Sequence, residues 1–327
     1  MGGFLVRRLA HMIPLLLGIT FITFLIIDLA PGDYFAQLKM NPVISPEMIA
    51  AMEREFGIGQ PLLVRYLKWL WRAVHLDLGV SLAYRVDVID LIGMRAFNTV
   101  VLATASVAFA WTLALPTGIF AALHPRSVAD RTLSFLAFAG MSVPNFFLAF
   151  LLMYVALQSG WFPIGGSTSI DYATLSIWGK LLDRCHHLVL PVLVLGTAGM
   201  ANLTRLMRAN VLELQHADFV RTARAKGLPE RLVVGKHILR NALNPFVTLA
   251  GYQLGSLLSG AALVEAVMNL QGLGTLLLEA VRSLDIYLVM GSVLMGALLL
   301  LVGNLLADLA LSVVDPRIDF NRLEAAR

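Results

Sequence analysis

Apolar runs long enough to cross a bilayer alternate with shorter polar breaks along most of the chain. They lie at about 9–29, 98–123, 132–157, 187–207, 245–268 and 288–311. About 20 apolar residues span the hydrocarbon core as a helix, so the pattern predicts an all-α polytopic membrane protein with six transmembrane helices. Arg7 and Arg8 precede the first run as they would in a signal peptide. The run is too long for a cleaved segment and no small-residue cleavage site follows it, so it reads as a retained span. Pro116, Pro144 and Pro191 fall inside runs, where each frees a carbonyl and kinks its helix, shaping a cavity wall. Gly251, Gly255 and Ser259 recur every four residues in the fifth run, a small-residue stripe that lets another helix approach closely.

The polar intervals carry their own periodicity. Residues 31–97 predict a helical insertion after the first span. Within it Pro46 opens a helix with Met48, Ile49, Met52 and Phe56 on one face, which Gly57 closes. Pro61 opens a second with Leu63, Tyr66, Leu67, Leu70 and Val74 on one side, while Trp69 and Trp71 suit a membrane interface. Val88, Ile89, Ile92 and Ala96 mark a third short helix before the next span. The insertion is too small to bury a large core alone, so it is expected to lie on the membrane domain as a cap. Residues 158–186 form a second exposed segment, with irregular backbone at Gly165 and Gly166.

The stretch 213–245 sits between the fourth and fifth runs and is the most basic in the chain, with Arg221, Arg224, Lys226, Arg231, Lys236 and Arg240 against Glu213, Asp218 and Glu230. Each charge costs a few kcal/mol at a helix centre in the membrane, so this loop, bounded at 210–245, lies in water. Asp218 caps or favours the first turn of a helix whose apolar side is Phe219, Val220 and Ala223, and Gly227 ends it. Pro229 starts a second, with Leu232, Val233 and Ile238 apolar and Arg231, Lys236 and Arg240 not. A short amphipathic, basic helix at a membrane surface fits lipid headgroups or a groove on a partner.

Composition narrows the function. The chain has 327 residues, 58% hydrophobic and 14% charged, with a formal net charge of +4. That is too apolar for a soluble domain, and the cations form no aromatic-interleaved stripe, which argues against nucleic-acid binding. A single cysteine, Cys185, excludes an internal disulfide. Cys185, His186 and His187 are adjacent, and three neighbours do not converge on one tetrahedral ion, so no metal site is expected. The sequence lacks a phosphate-binding loop, a zinc-protease motif and a nucleophile elbow, so no catalytic residues and no cofactor are assigned. Asp28, Arg205, Glu265 and Asp308 all fall near span ends, which weakens an ion-coupled secondary transporter working without an ATPase, the alternative reading.

Arg221-Thr222-Ala223-Arg224-Ala225-Lys226-Gly227-Leu228, with His237-Ile238-Leu239-Arg240-Asn241-Ala242-Leu243-Asn244-Pro245, resembles the coupling-loop motif of permease subunits in binding-protein-dependent ABC importers. The broad pattern is Glu-Ala-Ala, three residues, Gly, nine residues, Ile, any residue, Leu-Pro. Gly227 and Leu239 match and Ala223 fits the second Ala, while Arg221, Thr222, His237 and Arg240 depart in the manner of the dipeptide and oligopeptide subfamily. Glu55-Phe56-Gly57-Ile58, Arg65-Tyr66 and Asp77-Leu78-Gly79-Val80-Ser81 resemble its B-type subunit, as do Gly272-Leu273-Gly274 and Asp285, with Gln271 where Pro is common.

The resemblance implies a type I ABC importer permease that forms half of a translocation pathway for peptides or similar small solutes. The implied partners are a homologous second permease, two ATPase subunits that carry ATP and magnesium, and an extracytoplasmic solute-binding protein. It implies that Asp218, Phe219, Arg221, Thr222, Ala223, Arg224, Gly227 and Leu228 meet the ATPase. Asn98, Asn145, Asn202, Gln253 and Asn304 are candidates for polar pathway contacts or for interhelical hydrogen bonds, and the small-residue stripe for helix packing or the pathway. Positive charge concentrates on one side if both termini are cytoplasmic, in the plasma (inner) membrane of a bacterium or archaeon.

Overall fold

The computed structural model describes residues 2–29, 39, 45–55, 57, 59–246, 249, 253 and 261–314. Among them the chain is helical apart from turns and an isolated bridge between Val80 and Asp87. Four helices are long and apolar enough to cross a membrane, Val6–Leu29, Val88–Leu123, Ile177–Leu214 and Ile286–Leu306, and a bent helix pair supplies a fifth if it counts as one crossing. Most of the expected fifth span lies outside the described residues, including Gly251, Gly255 and Ser259, as do Phe56, the side chains of Met48 and Met52, and the tail 315–327.

Three boundaries differ from the sequence pattern. The expected short helix at 88–96 is continuous with the second span as one helix of Val88–Leu123, because no breaker separates Ala96 from Asn98. The fourth span starts earlier, at Ile177, where the Ser176 hydroxyl accepts from the Gly179 amide at 3.2 Å, and runs to Leu214. Cys185, His186 and His187 therefore sit inside this helix rather than at its end. The third run is two helices, Val128–Ser142 and Asn145–Ser159, and the pair is bent by 102°. Pro144 is the cause: its ring drives Val143 into extended backbone (φ −92°, ψ 120°), and it has no amide to continue the ladder. Pro116 and Pro191 are accommodated inside uninterrupted helices.

The chain groups into two compact units, Met1–Thr99 with Gln271–Leu301 and Val100–Leu270 with Val302–Arg327. In the first, α1 (Gly2–Leu29), α2 (Pro46–Glu55), α3 (Leu62–Val74) and the start of α4 (Val88–Leu123) join α11 (Leu273–Arg282) and the first part of α12 (Ile286–Val314). The insertion buries Tyr66, Trp69, Leu78, Val88 and Ile92 together with Phe24, Leu276 and Leu288, so it shares its core with the spans. Trp69 is thus buried rather than in an interfacial belt, while Trp71 is exposed. Fully buried Asp285 pins the insertion, accepting from Ser81 Oγ at 2.6 Å, the Ala83 amide at 3.0 Å and the Leu288 amide at 3.1 Å.

The second unit holds the rest of α4, α5 (Val128–Ser142), α6 (Asn145–Ser159), α7 (Ile177–Leu214), α8 (Asp218–Ala225), a helical stretch we call α9 (230–242) and α10 (Ala262–Val267). Close approach of α4 and α7 depends on Gly118. A Cβ there would lie 2.7 Å from the Thr204 carbonyl oxygen, closer than side chains tolerate. Thr117 and Thr204 hydroxyls meet beside it at 3.3 Å.

Candidate functional site

The basic loop folds as a corner. α8 runs from Asp218 to Ala225 and ends at Gly227, whose φ of +74° places it in the left-handed region. The Gly227 amide donates to Arg224 O at 2.9 Å and the Leu228 amide to Ala223 O at 3.4 Å, the crossed pair of a glycine-terminated helix. Pro229 then begins α9, which is α-helical at Glu230–Leu232, π-helical at Val233–Leu239 and α-helical again at Arg240–Ala242. Arg224 closes the corner by donating to Glu230 through Nη2 at 2.6 Å and Nε at 3.2 Å. This pair raises the Arg224 pKa and holds the Glu230 carboxyl below its ordinary range.

The inner face of the corner is rooted in the second unit. Val220, Ala223, Val233, Ile238 and Ala242 are buried in one cluster with Leu203, Met207 and Val211 of α7 and Ala110, Ala114 and Ala122 of α4. Gln215 adds a polar tie: its amide donates to Ala122 O at 3.2 Å, and its own carbonyl accepts from Arg224 Nη1 at 3.3 Å. α8 therefore shares one close-packed interior with α7 and α4.

The outer face is open. Phe219 is 44% exposed, and Asp218, Arg221 and Thr222 lie beside it in water, with Arg221 3.7 Å from Asp218. The sequence pattern put Phe219 on the same side as Val220 and Ala223, whereas the helix divides them. Leu228 is half-buried against the cluster and Arg224 is engaged within the corner. Of the residues singled out from sequence, Phe219, Arg221, Thr222 and Asp218 share the free surface, while Ala223, Gly227 and Leu228 build the element that presents them.

A cavity of about 610 Å³ lies in the same unit, lined by apolar side chains with Ser106, Asn145, Asn202, Arg205 and Gln253 as its polar groups. Asn145 opens α6 directly after the Pro144 break, so the bend places it at the cavity. Gln253 accepts from Trp111 Nε1 at 2.7 Å. Asn98 instead donates to Gln271 O at 2.8 Å in the first unit, a packing use. No group of three or more His, Cys, Asp or Glu able to hold a metal occurs among the described residues.

Residues 114–320 match the family described as the binding-protein-dependent transport system inner membrane component, and residues 1–103 match the N-terminal region of such components. The chain belongs to this family. It is a multi-pass inner-membrane permease subunit of an ABC importer, a transport component rather than an enzyme. Among curated relatives, the oligopeptide transport system permease protein AppB of Bacillus subtilis is 39% identical over 98% of this chain and 100% of its own length. The dipeptide transport system permease protein DppB of Escherichia coli K12 is 36% identical over 96% of this chain and 98% of its own. These place it with the B-type subunits of such permeases. A chain from an inward-facing crystal structure of the MetNI methionine ABC transporter matches with a TM-score of 0.50 at 19% identity, covering 69% of this chain and 96% of that one, a likeness of fold.

Sequence reasoning did not find Gln215 or the Arg224–Glu230 pair, the polar contacts that tie the corner together. Opposite charges flanking the Gly227-Leu228-Pro229 corner were the available signal for the pair. Gln215 carried none, since its partner Ala122 is distant in sequence.

Proposed function

We propose that this permease carries peptides and is driven through α8 by a separate ATPase subunit. The peptide class follows the names of its relatives, which include a di/tripeptide transport system permease protein of Pseudomonas aeruginosa at 34% identity over 98% of this chain. In the proposed assembly a homologous second permease completes the pathway, two ATPase subunits bind ATP and magnesium, and an extracytoplasmic binding protein delivers solute. Both termini and residues 210–245 face the cytoplasm, which collects Arg7, Arg8, Arg126, Arg131 and the basic corner there. Residues 31–97 then lie on the outer side. The cavity beside Asn145 and Gln253 forms part of the solute pathway.

The observation that carries this reading is the two-sided corner: a free Phe219 on a helix whose other side is buried against α7 and α4. A partner groove that buries the ring gains about 2 kcal/mol. Closure of the ATPase pair then pulls α8, and the spans follow as rigid bodies. In proteoliposomes holding the full importer, Phe219→Ala weakens that hold roughly thirtyfold by the same estimate. ATP-driven uptake falls, and the ATPase loses its response to loaded binding protein, while the permease still inserts. Wild-type uptake and stimulation in this variant would overturn the assignment.

A further inference from the structure

The insertion contains one surface that neither the pathway nor the corner uses. α3 has three faces. Leu62, Tyr66, Trp69, Leu70 and Ala73 pack into the core of the first unit. Arg65, Lys68 and Arg72 form a basic strip, and each is engaged within the chain: Arg65 pairs with Asp28 at 2.6 Å, Lys68 donates to the neutral Gln60 Oε1 at 2.8 Å, and Arg72 pairs with Asp77 at 2.8 and 3.1 Å. The third face, Leu63, Leu67, Trp71 and Val74, is apolar and exposed, with Trp71 at 70%.

Depth is set by what the helix touches. Tyr66 donates to the Leu17 carbonyl at 3.1 Å and meets Thr20 Oγ1 at 3.0 Å, and its ring packs edge-on against Phe21 and Phe24 of α1. Asp28 ends the apolar part of the Val6–Leu29 span. Residues 17 to 24 lie about 6–17 Å before residue 28 along the axis, at 1.5 Å per residue. α3 is therefore held alongside the last turns of a membrane span, below its polar end. The exposed face of α1 at the same level, Ile22, Ile26 and Leu29, is apolar too.

We infer that α3 is an in-plane helix sunk in the leaflet that holds the C-terminal end of α1, with Leu63, Leu67, Trp71 and Val74 in contact with acyl chains. Under the proposed topology this is the outer leaflet. The insertion is then a membrane-embedded wedge rather than a water-borne cap. Interfacial helices sit about 5–10 Å into the headgroup and acyl boundary; α3 spans that zone, with Arg65 at Asp28 at the polar end of the span and the Tyr66 hydroxyl reaching inward to Leu17. Arg65 and Arg72 are paired with carboxylates, which lowers the cost of holding them at that level, and Lys68 keeps its charge on the side of the helix left to water.

Nitroxide labels test this in the assembled importer in lipid nanodiscs, placed through Leu67→Cys, Trp71→Cys and Lys68→Cys on a Cys185→Ser background. Collisions with dissolved oxygen exceed those with a water-soluble nickel chelate at 67 and 71, and the order reverses at 68. Preferential nickel access at 67 and 71 overturns the inference in favour of water. Protection from both reagents overturns it in favour of a protein partner. Independently, lipids brominated near the headgroup end of the chain quench wild-type tryptophan emission, and Trp71→Phe removes a share of that quenching. No loss in that variant would likewise overturn it.

Discussion

Arg208 of α7 holds the first turn of α5 by donating to Asp130 from Nε at 2.6 Å and Nη2 at 2.9 Å, and the same carboxylate accepts from the Arg126 amide at 2.9 Å. Asp130 is buried, so removing Arg208 leaves a carboxylate short of donors. Arg208→Ala is expected to cost about 2 kcal/mol, the range for hydrogen bonds to charged groups. Arg208→Lys recovers part of it, because an ammonium lacks the planar fork. Thermal unfolding of the purified permease in detergent measures both, and equal losses in the two variants would contradict the paired geometry. Glu230 gives a pH signature. Its carboxyl is held below the ordinary glutamate range by Arg224, so the stability it adds is complete above that ordinary pKa and disappears as pH falls through the lower folded value. The melting-temperature gap between wild type and Glu230→Gln should close on acidification; because the pair is exposed, the gap is small and salt narrows it. The Asp130–Arg208 contact is not legible in sequence, since the two residues meet only through the packing of α5 on α7.

Local chemistry was more legible at the scale of elements. Gly227 marked the end of α8 from sequence, and its φ of +74° supplies the reason. Gly227→Ala is expected to destabilise the corner by about 1 kcal/mol through the left-handed backbone. Gly227→Pro cannot adopt that conformation at all, so α8 loses its terminus and hydrolysis uncouples from uptake. Wild-type coupling in Gly227→Pro would show that the turn is dispensable. The α4–α7 crossing makes a second demand, at Gly118, where an added methyl meets backbone rather than a flexible side chain. Gly118→Ala should cost about 1–3 kcal/mol by forcing the helices apart, read in the same thermal assay, and an unchanged midpoint would contradict the close approach. Hydropathy alone could not separate one long span from a bent pair at 132–157, because both halves are apolar; Pro144 was visible, but its effect depends on whether neighbours tolerate a break. The ends of α4 and α7 were missed for the opposite reason, as helix continues into polar sequence wherever nothing stops it.

For the whole molecule, apolar runs and charge placement were enough to read an all-helical membrane protein, and the motif at 221–245 was enough to read an importer permease. The division of α8 into a rooted face and a free face required the packing of Val220 and Ala223 under α7 and α4. The free face of α8 is expected to meet an ATPase subunit. Crosslinking from Phe219→Cys on a Cys185→Ser background, in native membranes with the importer intact, tests it most directly, with mass spectrometry identifying the joined peptide. A product that joins position 219 to a groove on an ATP-hydrolysing subunit is expected, and none from a cysteine placed by Leu63→Cys. A complex that co-purifies with its ATPase yet yields no product from 219, or a chain that purifies alone and moves solute on an ion gradient, would contradict it.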